Sequence, residues 1–108
     1  MEGSAMKMLI ILSIDETTDE VRKILKDNKV PVYSETEIHG FKTSKYQPDL
    51  DNWFGSSNGG VFSKLFFTFH DDETLKDVMQ AIKHFNDTNE QYRDYPLHGF
   101  QLNVEDTV

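Results

Sequence analysis

Two short segments of this sequence are apolar on both sides, and they restrict its fold more than any other feature. Residues 7–14 and residues 61–70 place large apolar side chains at successive positions instead of alternating them with polar ones. Successive side chains of a strand point to opposite faces, so such a run is typical of a central strand that is covered on both faces. We therefore expect a sheet with two interior strands.

The segment after residues 7–14 is predicted to form an amphipathic helix. Thr17 and Glu20 have the spacing of a capping box. Asn28 is expected to end the helix, and Pro31 prevents its continuation. The apolar stripe consists of Val21, Ile24 and Leu25, and the cations Arg22, Lys23 and Lys26 are interpreted as a solvated face that complements the helix C-terminus.

A second amphipathic helix follows the second apolar run. Asp72 is expected to cap it, with Asp71 and Glu73 at its positive end. The helix is predicted to end within residues 86–88. Its apolar stripe has regular helical spacing and comprises Leu75, Val78, Met79, Ile82 and Phe85.

Two further strands are predicted, at residues 32–42 and residues 97–104. In the last strand, apolar and polar residues alternate. In the earlier strand, the alternation places two carboxylates and an imidazole in one row. That row consists of Tyr33, Glu35, Glu37, His39 and Phe41.

The element order strand, helix, strand, strand, helix, strand predicts an α+β fold of the ferredoxin-like βαββαβ type. In this fold two helices cover one face of a four-stranded antiparallel sheet. Two helices leave the second face uncovered, although both central strands are apolar there. We therefore expect a homo-oligomer that is built through the open sheet face.

Length and charge narrow the classes of function. The 108 residues correspond to a single domain, with residues 1–5 interpreted as a vector remnant and residues 6–108 as the domain. The net charge of −8 argues against a nucleic-acid partner. The chain has no cysteine, which excludes thiolate chemistry, and its apolar runs are too short to span a bilayer. We expect a cytoplasmic protein that is not inserted in a membrane.

The irregular segment 43–60 follows the row of charged residues. It carries three glycines, one proline and several aromatic side chains. Loops of this length are usually functional or disordered, and its aromatic residues argue against disorder. We interpret this long loop as a recognition surface held on a rigid strand.

The histidine and glutamate side chains suggest a metal site as one hypothesis. Histidine and carboxylate ligands suit zinc, copper or nickel, whereas alternating glutamates are more often the solvated side of a sheet. No nucleophile–base motif is present, so we predict that the protein is not an enzyme. Gly40 lies where the backbone could approach a ligand, with an ordinary bulge as the alternative. The candidate metal ligands are Glu37, His39, His70 and His98.

Several segments, taken in order, resemble the PII-like superfamily of trimeric ferredoxin-like regulators. The sequence Glu-Ile-His-Gly-Phe is similar to the Val-x-Gly-Phe-Gly that introduces the long T-loop of this family. Divalent-cation-tolerance (CutA) relatives are a second match, through residues 92–102 and Trp53. The segments that carry the main resemblance are residues 6–11, 19–25, 37–41, 69–82 and 96–104.

The resemblance implies a homotrimer that binds a small effector in clefts between subunits and presents residues 43–60 to a target, such as a membrane transporter or efflux protein. The effector is not identified: a nucleotide and a divalent metal ion both stay open, as does a scaffold without a ligand. Residues 87–95 lack the glycines of ATP-binding members, so the usual mode of ATP binding is not expected. The implied effector residues are Gly40, Phe41 and Lys42, and the implied target-binding residues are Tyr46, Trp53 and Phe54.

Overall fold

The structure, a computed structural model, describes residues 5–41 and 62–108. Within them, four strands and two helices follow one another in the predicted order, with short 3-10 turns at Asp15–Thr17 and Glu90–Tyr92. The strands are β1 (Met6–Ser13), β2 (Ser34–Glu37), β3 (Lys64–Asp71) and β4 (His98–Asn103), and the helices are α1 (Thr18–Asp27) and α2 (Asp72–Thr88).

The four strands form one antiparallel sheet in the order β2-β3-β1-β4. The two strands that are apolar on both sides, β1 and β3, are therefore the interior strands, as predicted. This order is that of the split βαβ, ferredoxin-like fold, because β3 lies between β1 and β2. The predicted fold class is confirmed.

Both helices pack on the same face of the sheet. Leu9 and Ile11 of β1 and Phe66 of β3 are essentially fully buried on that face. They join the apolar stripes of the helices in one core, as the helical periodicity predicted. The helical residues of this core are Val21, Leu25, Leu75, Val78 and Ile82.

The opposite sheet face is apolar and lacks a covering layer among the described residues. The strand register places alternate side chains of three neighbouring strands there. Phe69 is 49% exposed and Leu102 is 44% exposed. We call this surface the open face; its apolar residues are Met6, Met8, Ile10, Leu12, Leu65, Phe67, Phe69, Phe100 and Leu102.

The start of α1 differs from the predicted capping box. The hydroxyl of Thr17 donates to the carbonyl of Ile14 at 3.2 Å and makes no side-chain cap to the helix. The 3-10 turn that precedes the helix already bends the chain, and the hydroxyl of Thr18 donates to the carbonyl of Asp15 at 2.8 Å. The local turn hydrogen bonds therefore replace the reciprocal pair of a capping box.

The C-terminus of α1 is a Schellman motif with a lysine at the left-handed position. The amide of Val30 donates to the carbonyl of Leu25 at 3.0 Å, and the amide of Lys29 donates to the carbonyl of Lys26 at 3.1 Å. Lys29 has φ 65°, a conformation that glycine adopts without strain and that costs another L-residue about 1 kcal/mol. Val30 and Leu25 are both buried, which completes the motif.

Side chains fix both ends of α2. Its N-cap is Asp71, one residue before the predicted Asp72, and its carboxylate accepts a hydrogen bond from the amide of Thr74 at 2.8 Å. Near the other end, Asn86 donates to the carbonyl of Leu97 and accepts from its amide, both at 2.9 Å. Asn86 thereby sets where the chain enters β4.

Strand β2 is shorter than the predicted strand 32–42. Its ladder with β3 ends where Glu37 pairs with Lys64, and the carbonyl of Val32 accepts from the hydroxyl of Thr68 at 2.6 Å instead of a backbone amide. Because β3 is the one neighbour of β2 among the described residues, β2 is only as long as that pairing. Residues 38–41 consequently lie beyond the strand.

The packing of α2 on β4 generates one prediction. A Cβ added to Gly99 would lie 2.9 Å from Cδ1 of Ile82 and 3.0 Å from Sδ of Met79. We expect Gly99→Val to lower the free energy of unfolding by about 1–3 kcal/mol, because the larger side chain overpacks this contact. Urea unfolding measures the change, with Gly99→Ala as the smaller step. Wild-type stability of Gly99→Val would contradict the close approach.

The contact between α1 and β2 generates a second prediction, on pH. Nε of Arg22 donates to Oε1 of Glu35 at 2.8 Å, and Nη2 donates to Oε2 at 2.6 Å. These hydrogen bonds hold the pKa of Glu35 below its ordinary value of 4.5. A carboxylate whose folded pKa is depressed stabilises the fold above its unfolded pKa, and this contribution disappears as the pH falls through the folded pKa.

We therefore expect Glu35→Gln to be destabilising at pH 7, and its difference from the wild type to shrink as the pH falls below about 4.5. Urea unfolding over a pH series measures both proteins. The control is Glu37→Gln on the same strand. The side chain of Glu37 is 78% exposed, and its contact with Nζ of Lys64 is longer, at 3.6 Å. A difference that does not change with pH would show that the pair does not carry the effect.

Candidate functional site

A depression of about 300 Å³ lies where the chain leaves β2 and where it returns to β3. Residues that follow β2 form one wall, and residues that precede β3 form the other. Asp15, from the turn after β1, closes a third side. The lining is Asp15, Glu37, Ile38, His39, Gly40, Phe41, Phe62 and Ser63.

Backbone hydrogen bonds hold the two walls together. The amide of Ile38 donates to the carbonyl of Ser63 at 2.9 Å, and the amide of Ser63 donates to the carbonyl of Ser13 at 3.0 Å. Phe62 is 1% exposed and anchors one wall, whereas Phe41 is 82% exposed. The depression therefore combines a fixed backbone frame with an apolar ring that has no cover among the described residues.

Two carboxylates and an imidazole border the depression. Asp15 and Glu37 contribute carboxylates, and His39 contributes an imidazole. Nζ of Lys64 lies 3.6 Å from Oε2 of Glu37, beside the depression. Carboxylates accept hydrogen bonds from hydroxyl and amino groups, and backbone at a glycine can approach a ligand closely. The arrangement suits recognition of a small polar molecule.

Glu35 does not belong to this depression, although the sequence placed it in the same row. Its carboxylate accepts both hydrogen bonds from Arg22 of α1, and this contact lowers its pKa. Tyr33, at the start of the row, packs against the core and lies 6.2 Å from the ring of Phe66. Of the row, Glu37, His39 and Phe41 line the depression.

The four candidate metal ligands are not brought together. His70 lies near the far end of β3, roughly 20 Å along the strand from Lys64, the residue that pairs with Glu37. His98 lies on β4, three strands away from β2, with its ring 5.2 Å from that of Phe62.

Of these four ligands, Glu37 and His39 line the depression at the end of β2. In the part of the chain that the structure describes, no group of three histidine or acidic residues is placed to hold a metal ion. Metal binding at Glu37 and His39 stays a prediction from the sequence.

Several residues of the sequence hypothesis lie outside the described residues. Lys42, of the implied effector group, is one of them. The others are the implied target-binding residues Tyr46, Trp53 and Phe54.

The structure adds residues to the site that the sequence did not indicate. Asp15 follows β1, and Phe62 and Ser63 precede β3. Because β1 and β3 are antiparallel neighbours, the C-terminal end of β1 lies beside the N-terminal end of β3. Strand order could have suggested this grouping once β1 and β3 were taken as neighbours.

Comparison with known proteins gives matches among solved structures. No protein-family model matches the chain, and no curated protein matches it. The Arabidopsis thaliana PII protein bound to citrate is 13% identical, with a TM-score of 0.64 over 97% of this chain and 82% of that one. A putative PII-like signalling protein from Thermus thermophilus is 14% identical, with a TM-score of 0.60 over 92% of this chain and 86% of that one.

A third similar structure has bound ligands. The nitrogen regulatory PII-like protein CPII from Thiomonas intermedia, bound to ADP, AMP and bicarbonate, is 12% identical, with a TM-score of 0.51 over 97% of each chain. Along the described residues of this chain, no helix is both long enough and apolar enough to cross a membrane. The likeness in structure shows the fold: this chain has the fold of the PII-like signalling proteins, which confirms at that level the resemblance found in its sequence.

Proposed function

We propose that this protein is a non-enzymatic regulatory protein of the PII-like kind, which binds a small effector and responds through residues 43–60. The observation that carries the proposal is the depression at the end of β2. It is built around Gly40 and Phe41, and it lies where the chain enters and leaves residues 42–61. A ligand there would contact the backbone on both sides of that segment.

The effector we favour is a nucleotide, with Gly40, Phe41 and Lys42 as its contacts. The similar protein CPII is bound to ADP and AMP, which supports this class of ligand. Asp15 and Glu37 supply hydrogen-bond acceptors for the hydroxyl and amino groups of such a molecule. Because residues 87–95 lack glycine, we expect a mode of binding different from the glycine-rich one.

Residues 43–60 would carry the response. Ordering of a segment by a ligand at its base is a known mode of switching. We infer that Tyr46, Trp53 and Phe54 contact a target protein, such as a membrane transporter or an efflux protein. Aromatic side chains are enriched where proteins recognise one another.

The open face supports assembly of the chain with copies of itself. It presents a continuous apolar surface on the three strands β3, β1 and β4, and monomeric proteins rarely expose such a surface. We propose a homotrimer that covers this face and forms the effector clefts at its seams.

The oligomer generates a prediction. Phe67 lies on β3, paired with Ile10 of β1 in the middle of the open face. We expect Phe67→Glu to convert the assembly into monomers, because a charge there would be buried without a partner in the interface. Light scattering gives the mass, and circular dichroism tests that the fold is kept.

Gln80→Glu is the matched control for Phe67→Glu. It adds the same charge at an exposed position of α2 and should leave the mass unchanged. A monomeric wild type, or a Phe67→Glu variant with wild-type mass, would contradict assembly through the open face.

The effector site generates a separate prediction. We expect titration calorimetry to show saturable binding of one or more of ATP, ADP, AMP and cyclic dinucleotides. Gly40→Val should weaken that binding by about tenfold or more, because the new side chain occupies the space in which the backbone meets the ligand.

Gly40→Ala is the smaller step at the same position and should weaken the binding less. If none of these nucleotides binds to the assembled protein, the nucleotide is excluded as effector. If one binds equally well to Gly40→Val, the ligand lies elsewhere on the protein.

A further inference from the structure

A second and larger depression, of about 910 Å³, lies beside the C-terminal end of α1. It shares no residue with the depression at the end of β2. Four cationic side chains line it, whereas the whole chain has 11 basic and 19 acidic residues. We call it the basic depression; its cations are Arg22, Lys23, Lys26 and Lys29.

The charges of the basic depression are only partly matched by acidic groups. Arg22 is paired with Glu35 at 2.6 Å and with Asp19 at 3.1 Å, and Lys23 contacts Asp27 at 2.5 Å. Within the described residues, Asp27 is the one acidic group of the lining. Among the residues that the structure describes, Lys26 and Lys29 form no ion pair. Two cations therefore line a concave surface with their charges available.

Lys29 has a backbone conformation that a lysine adopts only with strain. It has φ 65°, and it stands at the left-handed position of the Schellman motif, where glycine is the usual residue. A lysine there destabilises the fold relative to glycine, and strained positions of this kind cluster at functional sites. Complementing the helix C-terminus explains a cation in the last turn of α1, but it does not require a lysine beyond that turn.

The remaining lining is apolar and aromatic. Val30 is buried, and the ring of Tyr33 packs beside Phe66 at 6.2 Å, so both are held by the core. Cations around an apolar and aromatic surface suit a compact anion that carries an apolar or planar group. The four cations lie within residues 22–29, at one end of a single helix, so one small anion can contact two of them at once.

From this arrangement we propose that the basic depression binds a small molecule with several phosphate groups, through Lys26 and Lys29. Arg22 and Lys23 add to the positive potential and keep their acidic partners. The site is independent of the proposed function, because none of its residues lines the depression at the end of β2.

Inorganic tripolyphosphate is the probe that tests the proposal. We expect titration calorimetry of the full chain at low salt to show saturable binding. Lys29→Gly should weaken it by about fivefold, and Lys26→Gln with Lys29→Gly by about 25-fold, since each removes one charge contact. Binding should also weaken as salt is added.

Lys29→Gly distinguishes a loss of binding from a loss of stability, because we expect it to change the two in opposite directions. Because glycine removes the backbone strain, we expect this variant to have a higher Tm, by roughly 4 °C or more, and yet a weaker affinity for tripolyphosphate. Lys76→Gln with Lys83→Gln is the matched control: it removes two charges from α2, where Asp72 and Asp87 already pair with them at 3.5 and 2.9 Å.

The proposal is wrong if tripolyphosphate does not bind at millimolar concentration, or if Lys26→Gln with Lys29→Gly keeps the wild-type affinity. It is also wrong if the control variant loses as much affinity as that double variant. Tighter binding of a polyglutamate peptide than of tripolyphosphate would assign the surface to an acidic protein partner instead. Gly40→Val should keep its affinity for tripolyphosphate, which distinguishes this site from the nucleotide site at the end of β2.

Discussion

The structure depends on one constraint: its sheet has two apolar faces, and the helices cover only one of them among the described residues. Both interior strands, β1 and β3, are apolar on two faces, but the two helices cover a single face. The covered face carries the core around Leu9, Ile11 and Phe66. The open face keeps large side chains such as Phe69 exposed, and burying such surface is the main driving force for association. The assembly that we propose follows from this constraint.

The candidate effector site depends on where pairing in the sheet stops. Strand β2 is an edge strand whose ladder ends at Glu37 and Lys64, and backbone hydrogen bonds then hold the following residues against the residues before β3. This boundary leaves Gly40 and Phe41 outside the ladder but on a fixed frame. A rigid scaffold that carries an irregular segment is a common arrangement for recognition. The paired Glu35 and Arg22 stabilise the same edge from the helix side.

The charge of the chain is unevenly distributed. Carboxylates of Asp15 and Glu37 border one depression, whereas the cations around Lys29 border the other. In a protein of net charge −8, a concave basic surface is a local departure from the overall field. The two depressions therefore present opposite charges to a ligand. The left-handed backbone of Lys29 links the basic depression to the way in which α1 ends.

The sequence by itself determined the element order, the interior strands and the core stripes, because hydrophobic periodicity reflects which side chains must be buried. Val78 and Ile82 lie where the helical spacing placed them. The tertiary structure alone decided the length of β2, the loss of the predicted capping box, the grouping of Asp15 with Gly40, and the separation of His70 from His39. These features depend on pairing partners and on three-dimensional neighbours that are distant along the chain, and local patterns do not encode such contacts.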